Sequence, residues 1–287
     1  MLHKVFDISE KTFDRLKNVV EGQFTTKIIS STLVLVFILA IIISFLTKGH
    51  YINLGSLNKA FNNPFFAIEI VFTLLLIVEL LSLIFVLPKS VAKSVGKQFE
   101  LLSLIFIRAG FKEFGHLHDI HVSSTSPELY HMSAYALGAL VIFILMGVSY
   151  KLQMHTKLTV NEADQHRFVQ AKKLLSLLLF VAFIIIGIYD SLYFIKASEY
   201  LHSFDKFYTV LIFSDIIIVL IALRYTLSYL RIFRYSAFVL ATIFIRLALT
   251  SEIYYNIIIG VFASVYVLIL TVFYNYFLNA KPNSDLE

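Results

Sequence analysis

The sequence predicts an all-α polytopic membrane protein with about eight transmembrane helices, preceded by a short amphipathic helix. Of its 287 residues, 59% are hydrophobic and 15% are charged, and the mean hydropathy is +0.81. A soluble domain has about 45–50% apolar and about 25% charged residues, so lipid must be the solvent for most of this chain. A helix needs about 20 apolar residues to cross a bilayer. Seven apolar segments have about this length: 28–47, 65–87, 130–150, 174–195, 207–223, 233–250 and 254–278.

Residues 1–27 precede the first apolar segment and form a cytoplasmic or interfacial region in this prediction. Asp7 and Glu10 have the spacing of a capping box, and apolar residues recur at helical spacing after them. We expect an amphipathic helix over 7–22, which lies either on the membrane surface or on neighbouring protein. The transmembrane domain then covers 28–279, and 280–287 form a short cytoplasmic tail.

An eighth segment, 98–115, is short and charged, and the distribution of positive residues places it in the membrane. Lys and Arg accumulate on the cytoplasmic side of membrane proteins. If 98–115 crosses and the N-terminus is inside, 17 of the 24 Lys and Arg residues are cytoplasmic: five before residue 28, three at 89–97, five at 151–173, three at 224–234, and Lys281. If it does not cross, the later loops change side and the bias nearly vanishes. The sequence therefore predicts eight spans with both termini in the cytoplasm.

The connections between spans are too short to form a soluble domain. The longest polar ones, 114–130 and 151–173, have about twenty residues each, which cannot fold alone. Two sequential four-helix halves, 28–150 and 174–278, are an organisation that the sequence leaves open.

Ionisable residues inside a bilayer are costly and suggest functional sites. With a helical rise of about 1.5 Å per residue, Glu69 and Arg108 fall at similar depths in neighbouring spans, and Asp190 and Arg246 match in the same way. We expect two intramembrane charge pairs, Glu69–Arg108 and Asp190–Arg246, which either fix helix packing or serve transport.

Two more acids, Glu79 and Glu100, fall towards the cytoplasmic ends of neighbouring spans, where no basic partner is obvious. Carboxylates brought together repel unless they share a cation, a proton or a base. Glu79, Glu100 and the intramembrane Asp215 are therefore predicted to act in an ion pathway or in gating.

The predicted cytoplasmic face is basic. Arg224, Arg231 and Arg234 fall on one side of a helix, and Arg246 roughly continues that stripe, which is typical of a positive-inside flank or of a sensor helix. Together with Lys172 and Lys173, these arginines form a surface suited to an anionic lipid or a nucleotide-like ligand, or they reflect topology alone.

Residues 57–107 contain two acids ten positions apart, Glu69 and Glu79, around Phe72-Thr73, then a short basic linker and Phe99-Glu100. This segment of about fifty residues resembles the second and third helices of the voltage-gated cation channel superfamily. The resemblance implies that Glu79 and Glu100 occupy the acidic positions of a charge-transfer centre. The pattern departs from that superfamily afterwards, because 130–150 has no Lys or Arg and no Thr-Val-Gly-Tyr-Gly-like filter occurs.

The remaining polar residues bear on metal binding and catalysis. His116, His118 and His121 in the predicted external loop are suitable divalent-metal ligands, or they belong to a solvated loop. The chain has no cysteine, which excludes thiolate and Fe–S chemistry, and no nucleophile-elbow, zinc-protease or nucleotide-loop motif is found. The sequence therefore predicts neither enzymatic activity nor a cofactor.

These patterns predict an oligomeric, cation-preferring ion channel or pore in the bacterial cytoplasmic membrane. We expect a homo-oligomer, because mostly unbroken spans enclose no polar lumen in one subunit, and gating by a cytoplasmic signal or anionic ligand, as in a signalling or defence pathway. Two alternatives stay open: a proton- or cation-coupled small-molecule transporter that uses Asp190 and Asp215, and a metal-dependent lipid enzyme built on the histidine loop.

Overall fold

The computed structural model describes residues 2–53, 55, 58–89, 91–115, 127–153, 162–197, 204–225 and 228–280, and in these ranges the regular structure is helical. The helices are α1 (Leu2–Val20), α2 (Gln23–Lys48), α3 (Asn58–Phe61), α4 (Phe66–Val86), α5 (Val91–Gly115), α6 (Pro127–Leu152), α7 (Glu162–Ala197), α8 (Phe204–Leu223), α9 (Tyr229–Thr250) and α10 (Tyr255–Ala280). Each of the seven apolar segments corresponds to one helix, so the all-α prediction is confirmed.

Within the described ranges, seven helices are long and apolar enough to cross a membrane. They cover Gln23–Lys48, Phe66–Val86, Pro127–Leu152, Glu162–Asp190, Lys206–Leu223, Tyr229–Thr250 and Tyr255–Phe277. A helix satisfies its own backbone hydrogen bonds, which lipid cannot do, and the outward side chains of these helices are largely apolar. The chain is an integral membrane protein.

Helix α5 contains the predicted eighth segment and is largely surrounded by other helices. It has 25 residues, seven more than 98–115, and it packs on α4, α6, α9 and α10. Phe99, Leu102 and Phe106 on its inner faces are at most 1% exposed. The polar character of α5 is tolerated because protein, and not lipid, surrounds most of it.

Two hydrophobic cores hold the bundle together. The first joins α5, α6, α9 and α10 around Phe99, Ile142 and Ile245. The second joins α4, α7 and α8, with Leu101 of α5. The first core combines α5 and α6 of the first predicted half with α9 and α10 of the second, so the two sequential halves do not have separate cores.

The helices of the first core are in register over their whole length. Asn256 of α10 donates to the Tyr135 hydroxyl of α6, and further along the same two helices Thr271 lies 3.4 Å from Ser149, so α6 and α10 run parallel. Close contacts of α5 with α6 occur at Gly110 near Tyr135 and at Gly96 against the Tyr150 ring. Helix α5 is therefore antiparallel to α6 and level with it.

The N-terminal helix begins earlier than predicted, and one of its faces packs on protein. It begins at Leu2, so Asp7 lies inside α1 and the capping-box interpretation is wrong. Instead, the Gln170 amide of α7 donates to Asp7 at 3.4 Å and to Glu10 at 2.9 Å. Phe13 is 2% exposed and its ring centroid is 5.6 Å from that of Phe85, so this face of α1 packs on protein.

Candidate functional site

A group of buried polar side chains lies where α5, α8 and α9 meet. Gln98, Asp215, Thr242 and Arg246 are each at most 6% exposed. Nη2 of Arg246 donates to Oε1 of Gln98 at 2.9 Å, and Cζ of Arg246 lies 5.1 Å from the centroid of the Tyr208 ring. We call Gln98, Asp215, Thr242 and Arg246 the buried polar centre.

Part of the hydrogen-bonding capacity of this centre is unused. The Asp215 carboxylate interacts with Gln98, Thr242 and Arg246. In the described part of the chain, however, Oδ2 of Asp215 and both Nε and Nη1 of Arg246 are buried without a hydrogen-bond partner. Unpaired buried polar atoms are costly, so protonation of Asp215 or arrival of a cation there changes the energy of the whole centre.

The predicted Asp190–Arg246 pair is replaced by this arrangement. Arg246 bonds to Gln98 and interacts electrostatically with Asp215. Helix α9 packs on α5, α8 and α10, whereas α7, which carries Asp190, packs on α1, α4 and α8. Depth along the membrane normal does not say which helices are lateral neighbours.

The two acids predicted to lack a basic partner share one. Nζ of Lys97 is 2.8 Å from Oε2 of Glu79 and 3.1 Å from Oε2 of Glu100, and the Tyr150 hydroxyl donates to Oε1 of Glu100 at 3.1 Å. Glu79 and Glu100 do converge, as expected, but Lys97 was missed. Its signal is the spacing of three from Glu100, which places both on one face of α5.

Glu69 also has a different partner from the predicted one. Nζ of Lys112 lies 3.8 Å from Oε1 of Glu69, about one turn along α5 from Arg108. Arg108 instead lines a groove of about 230 Å³ between α4 and α5, with Glu79 and six apolar side chains. Sequence spacing could not separate two cations one turn apart, because both lie on the same helix face.

The basic face is divided among several elements. Helix α8 ends at Leu223 and α9 begins at Tyr229, so Arg224 lies in a turn, and the predicted single-helix stripe is wrong for that residue. Cζ of Arg234 lies 4.4 Å from the centroid of the Tyr274 ring. The positive charges of Arg231 and Arg234 both interact electrostatically with the phenol group of Tyr235.

Lys172 and Lys173 are adjacent in sequence and face different environments. Lys173 donates to Glu10 at 2.8 Å and to Asp14 at 2.9 Å, which ties α7 to α1. The bonds from Lys173 and Gln170 hold the pKa of Glu10 below its ordinary value. Lys172 is 2% exposed and points to the ring of Phe168.

The predicted metal ligands His116, His118 and His121 lie outside the described residues. Within the described ranges no group of three His, Asp or Glu side chains could hold a metal ion. His131, which follows that loop, has its Nδ1 3.3 Å from Oε2 of Glu113.

The fold and the buried polar centre together define the class of an integral, helical membrane protein with ionisable groups in its core. No protein-family model, curated protein or solved structure matches the chain.

Proposed function

We propose that the protein is a proton- or cation-coupled transporter, and that Asp215 is the residue that binds the coupling ion. The observation that carries this proposal is the buried Asp215 carboxylate, which has one oxygen unpartnered and faces an arginine with two unpartnered nitrogens. Intramembrane acids paired with bases are typical of proton and ion pathways.

The geometry supports a simple coupling mechanism. While Asp215 is charged, it attracts Arg246, and this attraction holds α8 against α9. When a proton or a cation neutralises the carboxylate, that attraction is lost, and Arg246 keeps its bond to Gln98 and its contact with Tyr208. Ion binding therefore changes the packing between two helices that a short turn connects.

For topology, we propose that α5 is the eighth span, with both termini in the cytoplasm of a bacterial cell. Its level, antiparallel packing on α6 supports this proposal, because α6 is itself long and apolar enough to cross. Charged side chains of α5 have partners of opposite charge: Lys97 pairs with Glu79 of α4 and with Glu100 of α5 itself. Hydropathy alone therefore underestimates the ability of this helix to lie in a membrane.

The second candidate is a homo-oligomeric, cation-preferring channel. Its support is the convergence of Glu79 and Glu100 on one base, in the segment that resembles a charge-transfer centre. In that case the acids act in gating, and Lys97 is the cation that they hold at rest.

Proton flux into liposomes separates the two candidates. Purified protein is reconstituted with an internal pH dye, and a potassium diffusion potential drives protons inwards. We expect a saturable flux that Asp215→Asn abolishes and Glu79→Gln leaves intact. The matched control is Asp190→Asn, an acid of α7 outside the buried polar centre.

Rapid, non-saturating flux that Glu79→Gln alters and Asp215→Asn does not would favour the channel. Flux that persists unchanged in Asp215→Asn, with the protein still folded, would refute the coupling role of Asp215.

A further inference from the structure

The charged side chains of helix α1 are sorted between its faces. Asp7 and Glu10 accept hydrogen bonds from the Gln170 amide of α7, and carboxylate oxygens of Glu10 and Asp14 lie within 2.9 Å of Nζ of Lys173. These three residues are all the acids of α1. At about 100° per residue they fall on one side of the helix, so the negative charge of α1 is directed towards α7.

The face of α1 that points away from the bundle carries cations and apolar side chains. Ile8, Lys11, Arg15 and Val19 follow one another at intervals of three and four residues, which places them on one stripe. Ile8 is 65% exposed and Val19 is 64% exposed. Lys11 and Arg15 are exposed too, and no carboxylate in the described ranges pairs with either of them. We call these four residues the outer stripe.

The connection to α2 keeps α1 close to the membrane surface. Helix α1 ends at Val20, and α2, which is long and apolar enough to cross the membrane, begins at Gln23. Its 26 residues extend about 39 Å, more than the about 30 Å of a hydrocarbon core, so the ends of α2 reach the headgroup region. Phe24 in its first turn is 77% exposed, as is typical of an interfacial aromatic residue. Two residues are too few to carry α1 away from the bilayer.

We propose that the outer stripe docks on anionic phospholipids of the membrane surface at which α2 begins. Acidic headgroups attract the two cations, and the two apolar side chains between them leave water at the boundary of the acyl chains. The acids that such a surface would repel are already bound to α7. Because those acids hold Lys173, docking of α1 also anchors this part of α7. The surface is separate from the buried polar centre and does not depend on the role of Asp215.

The absence of cysteine from the chain permits an accessibility test with single thiols. Full-length Ile8→Cys and Val19→Cys proteins are placed, one copy per disc, in nanodiscs of dioleoyl phosphatidylcholine or of its mixture with dioleoyl phosphatidylglycerol. The reaction of each thiol with a neutral, membrane-impermeant polyethylene glycol maleimide is followed by gel shift. The matched control is Glu162→Cys, an exposed position at the start of α7, about 16 Å along that helix from Lys173.

We expect both thiols of the outer stripe to react about fivefold or more slowly in the anionic nanodiscs than in phosphatidylcholine alone. The Glu162→Cys thiol should react at similar rates in both. Adding Lys11→Gln and Arg15→Gln to Ile8→Cys should remove the difference between the lipids. Adding Lys17→Gln instead should preserve it, because Lys17 lies off the stripe and pairs with Glu21 at 4.0 Å.

Equal rates in the two lipids for Ile8→Cys and Val19→Cys would overturn the proposal. Slowing that persists after Lys11→Gln and Arg15→Gln would overturn it as well, because the attraction would then not involve these cations. A slow reaction in detergent that becomes faster on dilution would identify a second copy of the chain as the occupant, and so contradict docking on lipid. Since every side chain of the outer stripe is exposed, these variants leave the core intact.

Discussion

Lys97 and Gln98 are adjacent on α5, yet they belong to two regions that treat charge differently. Lys97 lies between Glu79 and Glu100, whose side chains are 21% and 46% exposed, and each carboxylate meets its ammonium group. Gln98 faces Arg246 and Asp215 in the buried polar centre, where polar atoms of both residues remain unpartnered. One residue along a helix turns a side chain by about 100°, from the α4 side to the α8–α9 side.

The difference separates a structural role from a functional one. Partly exposed charges that lie against an opposite charge contribute modestly to stability. Buried and incompletely compensated charges are energetically poised, so a proton or a cation shifts them. We therefore propose helix packing for the Lys97 cluster and ion coupling for the buried polar centre, and the following predictions test this contrast.

The largest effect is expected from Arg246→Met. This substitution leaves Asp215 buried without its cation, and breaking a buried pair costs about 3–5 kcal/mol. The chain has neither Trp nor Cys, so tryptophan fluorescence and thiol labelling cannot follow its unfolding. Stability is measured instead as the heat-induced loss of the monodisperse species in gel filtration. The double variant Arg246→Met/Asp215→Asn should recover much of the loss, since neither charge remains. Strictly additive effects would show that the two residues do not interact.

The next effect concerns the packing that keeps α5 rigid between both regions. A Cβ atom at Gly138 would lie 2.6 Å from Cγ2 of Ile257 and 3.5 Å from the Phe106 ring of α5. We expect Gly138→Ala to destabilise the protein by about 1–3 kcal/mol through overpacking. Gly147→Ala, on the same helix, is the matched control because no atom lies within 4 Å of its Cβ position. Equal midpoints for the two variants would contradict the close packing of α6 on α10 and α5.

A smaller effect is expected from Lys97→Met. Its loss leaves Glu79 and Glu100 facing one another, and we expect about 1 kcal/mol or less of destabilisation because all three side chains are partly exposed. Adding Glu79→Gln to the Lys97→Met variant should offset this destabilisation, because only one carboxylate remains. Proton flux in liposomes should persist in Lys97→Met, in contrast to Asp215→Asn. Loss of flux in a stable Lys97→Met protein would assign function to this cluster as well.

The smallest effect concerns the pH dependence of α1. The pKa of Glu10 is lowered from 4.5 by the bonds from Lys173 and Gln170. Its contribution is therefore fully present above the unfolded pKa and disappears as pH falls through the lower folded pKa. Glu10→Gln should lower the free energy of unfolding at pH 7 by a few tenths of a kcal/mol, seen as a slightly lower thermal midpoint, and leave it unchanged at about pH 3. The same difference at both pH values would exclude ionisation of Glu10 as its cause.

Several local errors in the sequence-based expectations share one origin. Arg108 was matched with Glu69, and Lys112 is the cation found there. Arg246 was matched with Asp190, but the residues found beside Arg246 are Gln98 and Asp215. In both cases the lateral order and exact register of the helices were unknown. A polar residue without charge, Gln98, also gave no signal, because its role arises only from the arginine placed against it.

The sequence by itself determined the membrane environment and the seven apolar helices. These follow from hydrophobicity and from the period of the helix, which are local properties. Only the tertiary structure decided that α5 is enclosed, that α9 and α10 share a core with α5 and α6, and that Asp215 meets Arg246 while Lys97 satisfies Glu79 and Glu100. The reason is that apolar helices carry little information about which neighbour they pack against, since lipid and protein interiors are similarly apolar.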